Sequence, residues 1–261
     1  MQLIKQNFDF INKNQYLKYA IILYIIKSIL LLFEYKYTKK TANLEKDGFT
    51  ILGKVKNDHC LKILPKGYEF INYKYSIKGC SLSTFHRDVT SSQYIFKTKH
   101  PIYTFARYLN TGPHLSVCPG SHKTVPFLFS NPYTVHGKKG DCYLFNCDLI
   151  HAGALHNFNN KRYMEQYKIA HIDDIKTIKN NHGRCSGSFC VPEDLHNNYT
   201  EKKGDCNINK NYEIFTRKLS LHFSFLGNHI LTKYLQKNQN NFFNKIIVYL
   251  NGRSFYNNKS K

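Results

Sequence analysis

Residues 71–77, Ile-Asn-Tyr-Lys-Tyr-Ser-Ile, alternate apolar and polar side chains without a fault, the two-residue period of a strand with one buried face. Residues 48–52 (GFTIL) form a compact apolar segment behind an Asp-Gly turn signal. Further strand-like runs lie at residues 103–109, 115–118, 142–145 and 163–172, and Gly, Pro, Asn or Asp separates most of them. Many short strands so punctuated predict a mainly β fold of the sandwich or jelly-roll kind. Neither helix–strand alternation nor an internal repeat is present.

The two ends break this pattern. Residues 19–33 read YAIILYIIKSILLLF, apolar except for Lys27 and Ser28. As a helix they span about 22 Å, short of the roughly 30 Å of a bilayer's hydrocarbon core. Lys27 and Glu34 share a face of such a helix. Three readings stand: a signal anchor or interfacial helix, a helix packed on the rest of the chain, and a cleaved signal peptide. The apolar run starts late and no small-residue cleavage site comes after it, which counts against the third. Residues 180–211 are polar and rich in Gly, Asn and Cys, as a long loop is, and residues 212–250 hold one or two candidate helices that support the core. The chain thus divides into a hydrophobic, basic helical extension (1–41), a β core (42–180) and a loop with a C-terminal helical extension (181–261).

Composition sharpens the picture in two places. A hydrophobic content of 42% belongs to a folded chain rather than a disordered one. The formal charge of +21 suits an anionic partner, yet the lysines are dispersed with no run of five or six. Nucleic acid is therefore not the expected partner, and the charge bears more on solubility than on fold. The eight cysteines include no Cys-x-x-Cys pair, so zinc-ribbon spacing is absent. Reduced thiols in a cytoplasmic setting are expected, with membrane association through residues 19–33 left open.

The chemistry gathers around histidine. A mononuclear iron(II) oxygenase needs two imidazoles and a carboxylate on one face of the metal, with the opposite face open. His86-Arg87-Asp88 offers one imidazole and one carboxylate at the spacing that returns to the same face of a strand. His171-Ile172-Asp173 is a second match, and with 13 histidines a chance match is expected. The residues downstream of each pair decide between them. After His86 come a PGSH turn and then GDCYLFNCDLIHAG (residues 140–153), a Gly-Asp start to an apolar strand ending in His151. Eleven residues further, Arg162 opens the next strand, where a guanidinium can clamp a dicarboxylate in two-point fashion. After His171 no histidine is trailed by an arginine at that interval.

From about residue 43 to about residue 172 the chain resembles the phytanoyl-CoA dioxygenase family of 2-oxoglutarate oxygenases. NLEKDGFTILGKV looks like that family's opening strand, NTGPHLSVCPGSHK like its stretch before the second histidine, and GDCYLFNCDLIHAG with NNKR like the second-histidine strand and co-substrate arginine. The resemblance implies a double-stranded β-helix (jelly-roll, cupin-like) core flanked by helices, with His86, Asp88 and His151 holding Fe(II). Arg162 would pair with the far carboxylate of 2-oxoglutarate, O2 would be the second co-substrate, and Tyr73, Tyr75 and Ser91 are further contact candidates beside their plain reading as sheet residues. Phe85 stands where relatives often carry Trp. Halogenases of this fold replace the carboxylate by a small residue, so Asp88 points to hydroxylation or another oxidation rather than halogenation, with release of succinate and CO2. Among the other histidines, His122 of the PGSH turn reads as a turn-fixing or pocket-lining residue and His156 as a loop residue. A small-molecule substrate is expected, and the basic surface and apolar N-terminal segment favour one that is anionic or lipid-linked. Two other classes remain: a jelly-roll binding protein without turnover that uses its basic surface on nucleic acid or membrane, and a membrane-anchored structural protein.

Overall fold

The computed structural model describes residues 15–30, 33, 35–39, 41–79, 85–88, 91–123, 131–154 and 162–180, with Arg217 and Leu221. Two facing sheets carry the core. The elements in order are α1 (Gln15–Leu30), β1 (Tyr35–Lys36), α2 (Leu44–Asp47), β2 (Phe49–Lys54), α3 (His59–Ile63), β3 (Tyr68–Gly79), α4 (Gln93–Phe96), β4 (Tyr103–Tyr108), β5 (Gly112–Val117), a 3-10 turn (Ser121–Lys123), β6 (Tyr133–Gly137), β7 (Asp141–Asn146), β8 (His151–Gly153), β9 (Arg162–His171) and α5 (Ile172–Asn180).

One sheet has the order β2-β7-β4-β9-β3, the other β1-β6-β5-β8. All pairings are antiparallel except β1 with β6. Successive strands cross between the sheets so that β4 lies between β7 and β9 while β5 lies between β6 and β8. That nesting is the double-stranded β-helix, the jelly roll expected from the sequence. Between the sheets lie Phe49, Ala106, Tyr108, Leu115, Val117, Val135, Tyr143, Phe145, Leu149 and Met164. The outer face of the larger sheet is covered as well: Phe105, Cys142, Leu144 and Ile169 pack under Cys60 and Leu64 from and beside α3.

Local chemistry sets the entry to β2. Asn43 caps α2 by accepting from the Lys46 amide at 2.7 Å. Gly48 then ends the helix in the left-handed region, φ +82°, and a Cβ there would lie 2.5 Å from His122 Nδ1. Only glycine suits both the turn and the space.

Several elements differ from the sequence expectation. β6 has no counterpart among the predicted strands. Nor has α5 among the predicted helices; its Ile175 and Ile178 pack on Ile71, Ile102 and Ala170. α1 begins at Gln15 and ends at Leu30 rather than covering residues 19–33, and Glu34 lies outside the described residues. None of its described side chains is buried, and among the described residues no helix is long and apolar enough to cross a membrane. The segment before Ala42 also reaches into the sandwich: β1 borders β6, and the Tyr37 ring meets Phe49 edge-on at 5.2 Å. Cys60, Cys118, Cys142 and Cys147 are buried free thiols; the other four cysteines lie outside the described residues. So do residues 181–261, apart from Arg217 and Leu221.

Candidate metal centre

Residues 85–88 meet the start of β8 through a single antiparallel bridge. The His86 amide donates to the His151 carbonyl and the His151 amide to the His86 carbonyl, both at 2.9 Å. Directly opposed residues in such a pair send their side chains to one face, and the two rings stand 4.5 Å apart. Asp88, two residues on, returns to the same face, and its amide donates to the Cys147 carbonyl at 2.8 Å. The approach to His151 is pinned by the PGSH turn: the Ser121 hydroxyl accepts from the Ile150 amide at 2.8 Å, and His122 Nε2 lies 3.0 Å from the Glu45 carbonyl.

Oδ1 of Asp88 lies 3.7 Å from His86 Nε2 and 3.8 Å from His151 Nε2. One donor atom from each residue falls within 4.8 Å of the other two. His151 and Asp88 are buried, while the His86 side chain is 25% exposed, so the cluster opens to solvent on that side. The Leu149 carbonyl, 2.9 Å from His151 Nδ1, can only accept; Nδ1 therefore carries the proton and Nε2 turns its lone pair to the cluster. Burial also lowers the His151 pKa against the opposing pull of Asp88 and the Leu149 carbonyl. For Asp88, burial works upward, but the Lys168 ammonium and then the two imidazoles outweigh it and hold the carboxyl well below the usual range. A neutral imidazole and an ionised carboxylate are the protonation states a metal requires. Two imidazole nitrogens and one oxygen form the donor set that suits iron with open positions, so the residues fit such an ion.

Behind Asp88 is a buried cluster the sequence did not reveal. Lys168 Nζ contacts Asp88 Oδ2 and lies 2.6 Å from Thr104 Oγ1 and 3.3 Å from Cys147 Sγ, while the Thr104 hydroxyl donates to Oδ2 at 3.0 Å. Arg217 is a second surprise. Fully buried, it donates to the Gly153 carbonyl at 2.6 Å, and its guanidinium stands 4.5 Å from the centre of the Phe85 ring. Phe85 adjoins His86 and Gly153 comes two residues after His151, so one side chain braces both segments that carry the cluster's imidazoles.

The rival pair forms a cluster too. His100, His171 and Asp173 offer donors within 4.8 Å of one another. Their imidazoles, however, stack face to face, 3.8 Å apart and tilted 26°, so the ring-plane lone pairs run side by side rather than converging. His100 Nδ1 is engaged by Asp174 Oδ2 at 2.9 Å, and the Asp173 side chain is 53% exposed. Stacked rings with a surface carboxylate are a weaker metal site than the interior cluster.

Of the other sequence candidates, Ser91 is buried, donates its amide to the Asp88 carbonyl at 2.7 Å, and has a hydroxyl without a hydrogen-bond partner among the described residues. Arg162 opens β9, its backbone opposite Gly79, in the same alternating set as Met164, Gln166 and Lys168. Tyr73 and Tyr75 lie in β3, with Tyr75 opposite Gln166. The side chains of Arg162, Tyr73 and Tyr75 fall outside the described residues, as does all of His156.

No protein-family model matches the chain, and no curated protein matches it. Among solved structures, apo HygX from Streptomyces hygroscopicus is 14% identical with a TM-score of 0.40, over 49% of this chain and 84% of HygX. SnoN, described as a non-heme alpha ketoglutarate dependent epimerase from nogalamycin biosynthesis, is 12% identical with a TM-score of 0.36, over 49% of this chain and 79% of SnoN. EvdMO1 is 14% identical with a TM-score of 0.35, over 49% of this chain and only 48% of EvdMO1. HygX has been solved with nickel and 2-oxoglutarate, and SnoN with Fe3+ and alpha ketoglutarate. At these scores the likeness adds nothing to the chemistry read from the side chains.

Proposed function

We propose that the chain is an iron(II)- and 2-oxoglutarate-dependent oxygenase that hydroxylates a small-molecule substrate. The observation in support is the interior convergence of two imidazole nitrogens with one carboxylate oxygen, Asp88 held ionised and His151 neutral. Iron(II) held by His86, Asp88 and His151 would supply, with 2-oxoglutarate and O2, the oxidising chemistry that releases succinate and CO2. The chain's own residues bind, orient and exclude water. The Phe145 ring stands 4.6 Å from the His151 ring and dries the inner side of the site. Arg162 pairs with the distal carboxylate of the co-substrate; the buried Ser91 hydroxyl, Tyr73 and Tyr75 are the further candidates for that task. The net charge of +21 favours an anionic substrate.

Purified protein given Fe(II), 2-oxoglutarate and air is expected to release succinate slowly even without its substrate. His86→Ala and Asp88→Ala are expected to abolish that release, and undiminished succinate in either would sink the ligand assignment. Arg162→Ala is expected to raise the 2-oxoglutarate requirement; an unchanged apparent affinity would remove it from the site.

One observation favours a second reading, a jelly-roll binding protein without turnover. The Lys168–Asp88 ion pair balances the carboxylate with no metal at all. Such a protein would take up no Fe(II), and the same succinate assay would stay silent.

A further inference from the structure

The two oxygens of Asp88 face different neighbours. Oδ1 looks toward the imidazoles, and Oδ2 is held by Lys168 and Thr104. Lys168 is 1% exposed, a depth at which an ammonium is costly unless an anion meets it. Lys168 meets the Asp88 carboxylate. If orientation of the carboxylate were all that was required, the Thr104 hydroxyl already supplies a donor to Oδ2.

Counting charge gives the lysine a purpose. With both imidazoles neutral, as binding a metal requires, they sum with one carboxylate and one ammonium to zero. A divalent ion bound there keeps its full double charge, where an ordinary site of two imidazoles and a carboxylate reduces it by one. That surplus lies next to the positions a dianionic chelate would occupy, in an interior where charges are only partly screened.

We infer that Lys168 sets the charge of the metal centre: it loosens the hold on the divalent cation and tightens the hold on an anionic, chelating co-substrate. Lys168 touches a ligand rather than the reacting atoms, so it is a positioning residue, acting through Asp88. The inference rests on the metal-centre reading above and adds to it a division of binding strength between cation and anion.

The test uses Co(II) alone, titrated calorimetrically into the full-length protein at pH 8, and then 2-oxoglutarate titrated into the Co(II)-loaded protein. Lys168→Met removes charge and donor together, while Lys168→Gln keeps an N–H donor for Oδ2 and removes only the charge. In both variants Co(II) is expected to bind tighter and 2-oxoglutarate weaker, each by on the order of a hundredfold, the size of one unit charge acting over a few ångströms of partly screened interior. Should Lys168→Met not fold, as judged by near-ultraviolet circular dichroism, the glutamine variant decides. Affinities that fall together, as lost packing would cause, overturn the inference, as do two unchanged affinities. If the wild-type protein binds no Co(II) that His86→Ala removes, the metal-centre reading falls and the inference with it; wild-type binding with unaltered Lys168 variants overturns the inference alone.

Discussion

Asp88 and Asp148 are both buried carboxylates, and their neighbours send them in opposite directions. Asp88 has an ammonium and two imidazoles beside it and stays ionised far below the usual range. Asp148 is raised to about 6: burial dominates, and the Ser92 hydroxyl, the Arg87 charge and the Gln93 amide at 2.9 Å only partly offset it. A folded-state pKa above the ordinary carboxylate value means that this group's contribution to stability is fully present below about pH 4 and is lost as pH rises through about 6. The loss is on the order of 3 kcal/mol. Asp148→Asn is therefore expected to remove that slope, so the urea midpoints of variant and wild type should differ in their pH dependence between pH 4 and 7. Parallel curves would contradict the assignment. Asp88→Ala makes a separate case. It leaves the Lys168 ammonium buried without the anion it meets, at a cost of about 3–5 kcal/mol in metal-free protein. Adding Lys168→Met should restore most of that loss in a double-mutant cycle. An unchanged urea midpoint for Asp88→Ala would mean that the ion pair does not form.

At the scale of elements, the two segments that carry the imidazoles are short. His86 belongs to no named strand and is held by one bridge, and β8 is three residues long. Their precision has to come from outside, and Arg217 supplies part of it through Gly153 and Phe85. Arg217→Met is expected to cost about 2 kcal/mol, the usual worth of a buried charged hydrogen bond, and to weaken Co(II) binding as well. A lowered melting temperature with unchanged Co(II) affinity would show that the brace serves stability alone. β3, β4, β7 and β9 were legible because their alternation or apolar runs reflect the sandwich directly. β6 was not, since YTVHG is short and mixes one buried valine among half-exposed positions. Lys168 was hidden for a different reason. Both faces of β9 are covered, with Tyr167 and Ile169 outside and Met164 inside, so polarity does not tell which face is the interior. Register does: Arg162, Met164, Gln166 and Lys168 form one alternating set. Arg217 left no local sign because its partners, a carbonyl and a ring face, lie more than sixty residues away along the chain.

For the molecule as a whole, the boundary near Ala42 read from composition does not coincide with the edge of the sandwich. β1 and Tyr37 come before it, yet they extend one sheet and pack on Phe49 and Tyr133. A chain lacking residues 1–30 keeps β1 and Tyr37. A chain lacking residues 1–41 should melt about 5 °C lower through loss of the Tyr37 packing. Equal melting temperatures for the two would contradict the role given to that edge. The division of the site's charge and the effect of Arg217 on Co(II) binding both presuppose one metal ion on three ligands. The direct test is anaerobic addition of Fe(II) and then 2-oxoglutarate, watching the visible spectrum. A metal-to-ligand charge-transfer band that forms in the wild-type protein and is absent in Asp88→Ala is the expected result. Folded protein that shows no band with both additions would contradict the account at its centre.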